Sequence, residues 1–296
     1  MKDRLTEFAY AAGWRVTRTL PLPAARALFR AGADRATRGN GPGIQRLRRN
    51  LRQVVGPELP DAALDELVRD GMRSYARYWM EAFRLPSQSK ADFLRDFHLH
   101  EGREFLDVLD KGRGAILALP HVANWDAAAA WLVANDQKMV TVAERLKPES
   151  VFEQFVAYRE KLGMEVLPLT GGQRAPLEVL AEKASAGYAV ALLADRDLSA
   201  RGIEVEFFGG RTRMPAGPAL LAIRTGAPLA AADLWFTETR TEGRVRWIEP
   251  ATEGALDVRV RETTQRLADA FALGIAEHPQ DWHMLQKMWL NRPAKG

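Results

Sequence analysis

The sequence predicts an α/β fold with a central, mostly parallel sheet, helices on both faces and a helical N-terminal region. Two observations predict it. From Gly114 onwards, short apolar runs alternate with segments of helical period, the order typical of a parallel sheet. Before that point, residues 1–110 show helical periods alone. We therefore expect a single domain over residues 1–296, with residues 111–296 as the α/β catalytic core.

The N-terminal region is expected to contain helices over residues 22–36, 44–55 and 64–83, separated by Gly- and Pro-containing stretches. In the segment before them, Leu5 and Phe8 share one helical face with other apolar residues, as in an amphipathic helix that lies on a membrane. The alternative is a helix that packs on the body of the protein.

The α/β core is read from apolar runs and helical periods in turn. Strands are expected at residues 115–119, 139–143, 164–169, 188–194, 203–208, 228–236 and 245–248, and helices at 126–132, 150–162, 176–186, 219–225 and 256–277.

The candidate catalytic pair follows the first strand of the α/β core. Pro120 ends the apolar run, so His121 lies in a loop, and Asn124 is a suitable N-cap for the helix that follows. On one continuous helix, His121 and Asp126 would lie about 140° apart. With His121 in the loop, its ring can fold back over the first helical turn, towards Asp126. The pair is then the base and orienting carboxylate of a catalytic site, and the alternative is a capped helix beside a packed histidine.

Two further acidic residues follow strands directly. Glu144 follows the second expected strand of the core, and Asp195 follows the fourth. In a parallel sheet these positions share an edge with His121, where such sheets bind ligands. Charged residues end strands in almost any α/β protein, so this position alone leaves a purely structural role open.

Composition and charge narrow the class of protein. The chain has no Cys, which excludes disulfides, thiolate metal sites and a cysteine acyl-enzyme. No apolar run approaches the roughly 20 residues of a transmembrane helix. Residues 1–52 carry 12 basic and 3 acidic side chains, a net +9, although the whole chain is only +4. This excess suggests an anionic membrane surface as partner; nucleic acid is disfavoured because no binding motif accompanies it.

A set of ordered motifs resembles a known family. The motifs are HVANWD at 121–126, TVAERLKPES at 141–150, LPLTGG at 167–172, DRD at 195–197, FFG at 207–209, RMPAGP at 213–218 and DWHML at 281–285. Together they resemble the lysophospholipid and lipid A late acyltransferases, and within that family the branch that acylates phosphatidylinositol mannosides.

The resemblance implies an activity and a site. It implies transfer of a fatty acyl group, usually palmitoyl, from acyl-coenzyme A to a mannose hydroxyl of a phosphatidylinositol mannoside, without a cofactor, by a peripheral protein at the cytoplasmic face of the plasma membrane. It places the base at His121 with Asp126 as its carboxylate, and acceptor-binding residues at Glu144, Arg159 and Asp195. One departure is Asp195 itself, where relatives carry the longer Glu.

The chemistry can also be argued from the residues. Without Cys or a Gly-x-Ser-x-Gly elbow, direct transfer from the thioester to the acceptor is favoured over an acyl-enzyme. Backbone N–H groups near residues 214–217 are candidate oxyanion donors. Arg211 and Arg213 are candidates for the coenzyme A phosphates. Three alternatives stay open. The first is an acyltransferase for another lipid acceptor, lipid A-like or a lysophospholipid. The others are a hydrolase that uses the same His-Asp pair on a lipid ester or acyl-coenzyme A thioester, and a non-catalytic lipid carrier.

Overall fold

The computed structural model describes residues 17–144, 149–171, 174–197, 199 and 201–290. The expected amphipathic segment at residues 5–16 lies outside these residues. In the described part, the helices are α1 Leu22–Gly39, α2 Pro42–Val55, α3 Asp61–Arg84, α4 Lys90–Asp96, α5 Gly102–Val108, α6 Trp125–Ala134, α7 Glu149–Lys161, α8 Pro176–Ser185, α9 Gly217–Thr225 and α10 Leu256–Glu277.

A seven-stranded sheet forms the centre of the molecule. The strands are β1 Phe97–Leu99, β2 Ala115–Leu119, β3 Met139–Ala143, β4 Glu165–Pro168, β5 Ala189–Leu193, β6 Ile203–Phe207, β7 Gly210–Met214, β8 Leu229–Phe236 and β9 Thr241–Ile248. The sheet has the order β1-β9-β8-β2-β5-β3-β4, and β6 and β7 form a separate hairpin. In the seven-stranded sheet, all neighbouring strands run parallel except β8 and β9, which are antiparallel. The predicted α/β class with a mostly parallel, helix-flanked sheet is therefore confirmed.

Two details of the sequence-based assignment are wrong. Residues 97–99 lie in the region that the sequence predicts to be all helical, yet they form an edge strand that pairs with Thr241–Gly243. Three residues are too few to show a period of two, and their partner lies far along the chain. The second detail is β7, a short and charged strand where no strand is expected from the sequence; only its antiparallel pairing with β6 identifies it.

The core lies around β2. All five residues of β2 are buried, which explains their continuous apolar character. The N-terminal helices form a second apolar cluster, in which Leu47 and Leu51 of α2 pack with Leu64 and Val68 of α3. Helix α3 also packs against the short turn Pro279–Asp281. This contact brings the N-terminal helices to the chain segment that completes the site.

Parallel pairing puts the ends of β2, β5 and β3 at one edge of the sheet. Leu119 pairs with Leu193, and the N–H of Ala194 donates to the carbonyl of Leu119 at 2.7 Å. The residues that follow these three strands, His121, Asp195 and Glu144, are therefore brought to the same edge, as the sequence predicts.

Candidate active site

The loop between β2 and α6 holds His121. The His121 side chain is 35% exposed, although it follows a fully buried strand. Ala123 has a left-handed backbone with φ of 40°, which turns the chain sharply into α6. Asn124 then caps the helix, because its Oδ1 accepts the Ala127 N–H at 3.1 Å. The tight turn leaves the histidine ring at the edge of the sheet where the carboxyl ends of the strands lie.

Asp195 is the carboxylate that His121 contacts. Its Oδ1 lies 2.5 Å from His121 Nδ1, and its Oδ2 accepts the His121 backbone N–H at 3.0 Å. The indole N–H of Trp282 donates to the same Oδ2 at 2.9 Å. Burial by itself would raise the pKa of Asp195, but the charge and hydrogen bonds of His121 and the Trp282 hydrogen bond lower it. The shorter side chain at this position therefore does reach the histidine.

Asp126 does not face His121, although the sequence predicts that it does. Its Oδ1 accepts from Arg159 Nε at 2.8 Å, and its Oδ2 accepts from the Tyr78 hydroxyl at 3.1 Å. Asp126 is fully buried and Arg159 is only 12% exposed. The reason is direction: from the first turn of α6, Asp126 reaches α7 and α3. The carboxylate at the end of β5 takes the place beside His121.

The Asp126–Arg159 pair is a buried ion pair. Burial opposes the charge on Arg159, but the Asp126 charge and hydrogen bond raise its pKa above the ordinary value. Its guanidinium also lies over the Trp125 ring, 4.4 Å from the centroid. Burial and the Asp126 charge raise the pKa of Tyr78, which keeps this hydroxyl protonated as a donor. Asp126 thus holds α6, α7 and α3 together.

A segment near the end of the chain completes the loop around His121. The His283 N–H donates to the His121 carbonyl at 2.8 Å, and the Ala123 N–H donates to the Asp281 carbonyl at 2.9 Å. Val122 and Trp282 form an antiparallel bridge, with Trp282 fully buried. In the sequence, this segment stands out only as one of the motifs that resemble the acyltransferase family. Its contacts could not be inferred because neither hydrophobic period nor spacing links it to residue 121.

A second buried polar group adjoins the site. The Ser74 hydroxyl donates to Asp281 Oδ1 at 2.6 Å and lies 2.8 Å from His283 Nε2. Because its hydrogen is used on Asp281, Ser74 accepts from His283, which fixes the Nε2–H tautomer. Burial, and then the nearby His121 charge, lower the pKa of His283 to about 3. His283 is therefore neutral at physiological pH.

Two cavities open on His121. The first, here called the polar cleft, has a volume of about 290 Å³ and is lined by His121, Glu144, Arg159, His283 and several aromatic side chains. The second, here called the apolar cavity, has a volume of about 380 Å³. Its lining contains Leu169, Leu177, Leu180, Leu192 and Leu193 besides His121. The leucine side chains make the apolar cavity suited to a hydrocarbon chain, and Glu144, Arg196, Asp197 and Ser199 supply the polar part of its lining.

The remaining predicted site residues lie around these cavities. Glu144 lines both of them and is 50% exposed. Arg211 and Arg213 lie on the exposed face of β7, outside both linings, and Arg211 forms an ion pair with Glu204. The backbone carbonyl of Arg213 accepts from the N–H of Asp197, a residue of the apolar cavity. Among the described residues, no cluster of three metal-ligating side chains occurs.

Comparison with known proteins defines the class. The family model described as bacterial lipid A biosynthesis acyltransferase matches residues 1–291. The chain belongs to this family and is an O-acyltransferase.

Curated relatives support the same class at closer range. The chain is 49% identical over 287 residues to a phosphatidylinositol mannoside acyltransferase of Mycolicibacterium smegmatis. The aligned region covers 97% of this chain and 92% of the relative. It is 48% identical over 291 residues to phosphatidylinositol mannoside acyltransferases from two strains of Mycobacterium tuberculosis, CDC 1551 and H37Rv, which covers 96% of this chain and 89% of each relative.

Proposed function

We propose that the protein transfers a fatty acyl group, palmitoyl in particular, from acyl-coenzyme A to a mannose hydroxyl of a phosphatidylinositol mannoside. The observation that carries the proposal is the position of His121, paired with Asp195 and lining both the polar cleft and the apolar cavity. A base at such a junction suits a reaction that joins a sugar hydroxyl to a fatty acyl chain. The names of the mycobacterial relatives support the same acceptor.

The proposed proton transfer uses the two nitrogens of His121 differently. Asp195 accepts from Nδ1–H, so the lone pair of Nε2 is free to take the proton of the acceptor hydroxyl. The hydroxyl oxygen forms a bond to the thioester carbon, and the carbonyl electron pair moves to its oxygen. When this intermediate collapses, the C–S bond breaks and coenzyme A leaves as a thiolate, which receives the proton from Nε2. Asp195 takes the orienting role here, and Asp126 acts through the buried ion pair.

The acyl donor is assigned to the apolar cavity. Its leucine lining suits the hydrocarbon chain. Because His121 is part of its wall, the thioester group must lie next to His121. Arg213 is tied to Asp197 of this cavity through a backbone hydrogen bond, so the exposed face of β7 lies near it. On this basis we assign the coenzyme A phosphates to Arg211 and Arg213.

The sugar acceptor is assigned to the polar cleft. Glu144 and Arg159 line it together with His121. A carboxylate accepts hydrogen bonds from sugar hydroxyls and a guanidinium donates them, which is the pairing that carbohydrate recognition needs. The aromatic side chains Tyr75, Tyr78 and Trp79 supply apolar surface for the face of a sugar ring.

A peripheral site of action at the cytoplasmic face of the plasma membrane completes the proposal. Within the described residues, no helix is both long and apolar enough to cross a bilayer. The net +9 of residues 1–52 supports binding to an anionic lipid surface, at about 1 kcal/mol for each basic side chain near it. Replacing the exposed Arg26, Arg30 and Arg35 of α1 by Gln should weaken flotation with anionic liposomes but not with neutral ones, and undiminished flotation would reject this electrostatic anchor.

The activity is tested with purified protein, palmitoyl-coenzyme A and a phosphatidylinositol mannoside acceptor. The expected product is an acylated mannolipid, detected by mass spectrometry together with free palmitate. His121→Ala should abolish the product, whereas His98→Ala, on the exposed side of β1, should leave it unchanged. Free palmitate without acylated lipid from the wild type would instead establish a hydrolase. Full activity of His121→Ala would reject the mechanism.

A further inference from the structure

The two cavities share part of their walls. The residues that line both are His121, Val142, Glu144, Leu193 and Arg196. Under the proposed function, the acceptor enters from the polar cleft and the acyl chain lies in the apolar cavity. The thioester carbonyl must therefore meet the acceptor hydroxyl at this shared wall. Any side chain that stabilises the reacting carbonyl belongs to this set.

Arg196 is the cationic side chain of the shared wall in the described residues. It follows Asp195 directly in the chain, so its backbone is held at the end of β5 beside His121. Its Nε is buried, and no described residue accepts a hydrogen bond from it. Its guanidinium meets Glu144 only at 3.5 Å, with half of that carboxylate exposed. A buried charged donor without a close partner is unusual in a folded protein and needs a reason.

We propose that Arg196 is a catalytic residue that stabilises the oxyanion of the acyl-transfer intermediate. The inference rests on the proposed function. When the acceptor oxygen bonds to the thioester carbon, a full negative charge develops on the former carbonyl oxygen. The other polar members of the shared wall are less suited to this role, because His121 is engaged with the acceptor oxygen and a carboxylate such as that of Glu144 accepts hydrogen bonds instead of donating them. A guanidinium aimed at the developing charge favours the intermediate over the neutral thioester.

The backbone donors expected near residues 214–217 are limited. The start of α9 lines the apolar cavity through Pro215, Gly217 and Pro218. Both prolines lack an N–H, so this stretch offers few donors to the cavity. Arg196 supplies the charge that these amides cannot, and it does so at the wall common to both substrates.

The test compares Arg196→Met and Arg196→Lys with the wild type in two assays. The first follows release of the coenzyme A thiol from palmitoyl-coenzyme A, with and without the mannolipid acceptor. Arg196→Met should lower kcat about 10²–10³-fold, with KM for both substrates within a few-fold, and Arg196→Lys should lie between. The second measures the dissociation constant of S-hexadecyl-coenzyme A, a thioether without the carbonyl, which should not change. Arg201→Met, which changes an exposed arginine five positions further along the chain, is the control, and thermal unfolding checks that each variant folds.

The results of the two assays distinguish a role of Arg196 in stabilising the oxyanion from a role in binding substrate. Wild-type kcat in Arg196→Met overturns the proposal, and so does a loss that appears only in KM or in thioether binding. Loss of kcat in Arg196→Met with unchanged thioether binding supports it. The oxyanion also forms when water is the acceptor, so a wild type that hydrolyses the thioester but acylates no mannolipid refutes the proposed function. In that case, the comparison of Arg196→Met with the wild type still decides the role of Arg196.

Discussion

The division of labour between Asp126 and Asp195 can be tested by removing each charge with little change of shape. Asp195→Asn replaces the partner of His121 Nδ1, and Asp126→Asn replaces the partner of Arg159. An amide donor facing Nδ1 would favour the tautomer with the proton on Nε2, which cannot act as the base. Asp195→Asn should therefore lower kcat by about 10⁴-fold, the cost of the wrong tautomer in other enzymes.

Asp126→Asn should act mainly on stability. It leaves the Arg159 guanidinium, which is 12% exposed, without its buried counter-charge. Removing one member of a buried ion pair typically costs about 3–5 kcal/mol of unfolding free energy. Asp126→Asn combined with Arg159→Met removes both charges and should recover most of this loss. The residual kcat of folded Asp126→Asn should be far above that of Asp195→Asn.

The assay pairs urea unfolding with steady-state kinetics at a temperature where every variant is folded. The expected pattern is a large loss of kcat for Asp195→Asn and a large loss of stability for Asp126→Asn. The opposite pattern, with kcat destroyed in a stable Asp126→Asn and retained in Asp195→Asn, would restore the pairing expected from the sequence and refute the assignment based on the hydrogen bonds. Failure of the double variant to regain stability would refute the ion-pair explanation.

Three further predictions concern other parts of the site. Trp282→Phe removes the indole donor to Asp195 and should lower kcat about 10-fold, since a hydrogen bond to a charged group is worth about 1.5–3 kcal/mol. Trp289→Phe is the control, because the buried indole N–H of Trp289 has no partner among the described residues. Equal losses of kcat in both variants would contradict the role of the Trp282 hydrogen bond. The folded-state pKa of His283, about 3, lies below its ordinary value of about 6.5, so the unfolded chain binds a proton that the folded protein does not, and stability falls on acidification. Between pH 6.5 and 5 the wild type should lose about 2 kcal/mol more unfolding free energy than His283→Gln, and parallel losses in urea titrations would reject this. Leu177→Trp narrows the apolar cavity and should lower kcat/KM for palmitoyl-coenzyme A relative to octanoyl-coenzyme A by about 10-fold or more; an unchanged ratio would place the acyl chain elsewhere.

The sequence is informative where a local pattern determines the structure. The apolar run at 115–119, the proline after it and the Asn N-cap locate the loop of His121 without any tertiary information. Parallel topology then brings His121, Glu144 and Asp195 to one edge, because this follows from strand order alone. These features depend on a few neighbouring residues each.

The partners of the site residues depend on distant parts of the chain and were not predicted. Spacing brings Asp126 near His121 in sequence, but the hydrogen bond goes to Asp195, 74 positions further along. Trp282 and His283 contact the loop from the far end of the chain, and Arg196 is informative only once two cavities are seen to share a wall. No periodicity encodes such contacts, since each depends on the direction of a side chain in the assembled fold.

The contacts of residues 281–283 with the His121 loop have a consequence for synthesis of the protein. The strands β2, β3 and β5 are complete once residue 193 has been made, so the parallel sheet can begin to assemble well before residue 282 is added. His121, however, has neither the bridge through Val122 nor the indole on Asp195 until residue 282 has left the ribosome. Chains that stop short of Trp282 would carry a formed sheet with an unsupported histidine. Activity should therefore appear only in chains that extend past Trp282, so shorter nascent chains would hold a folded sheet without an active site.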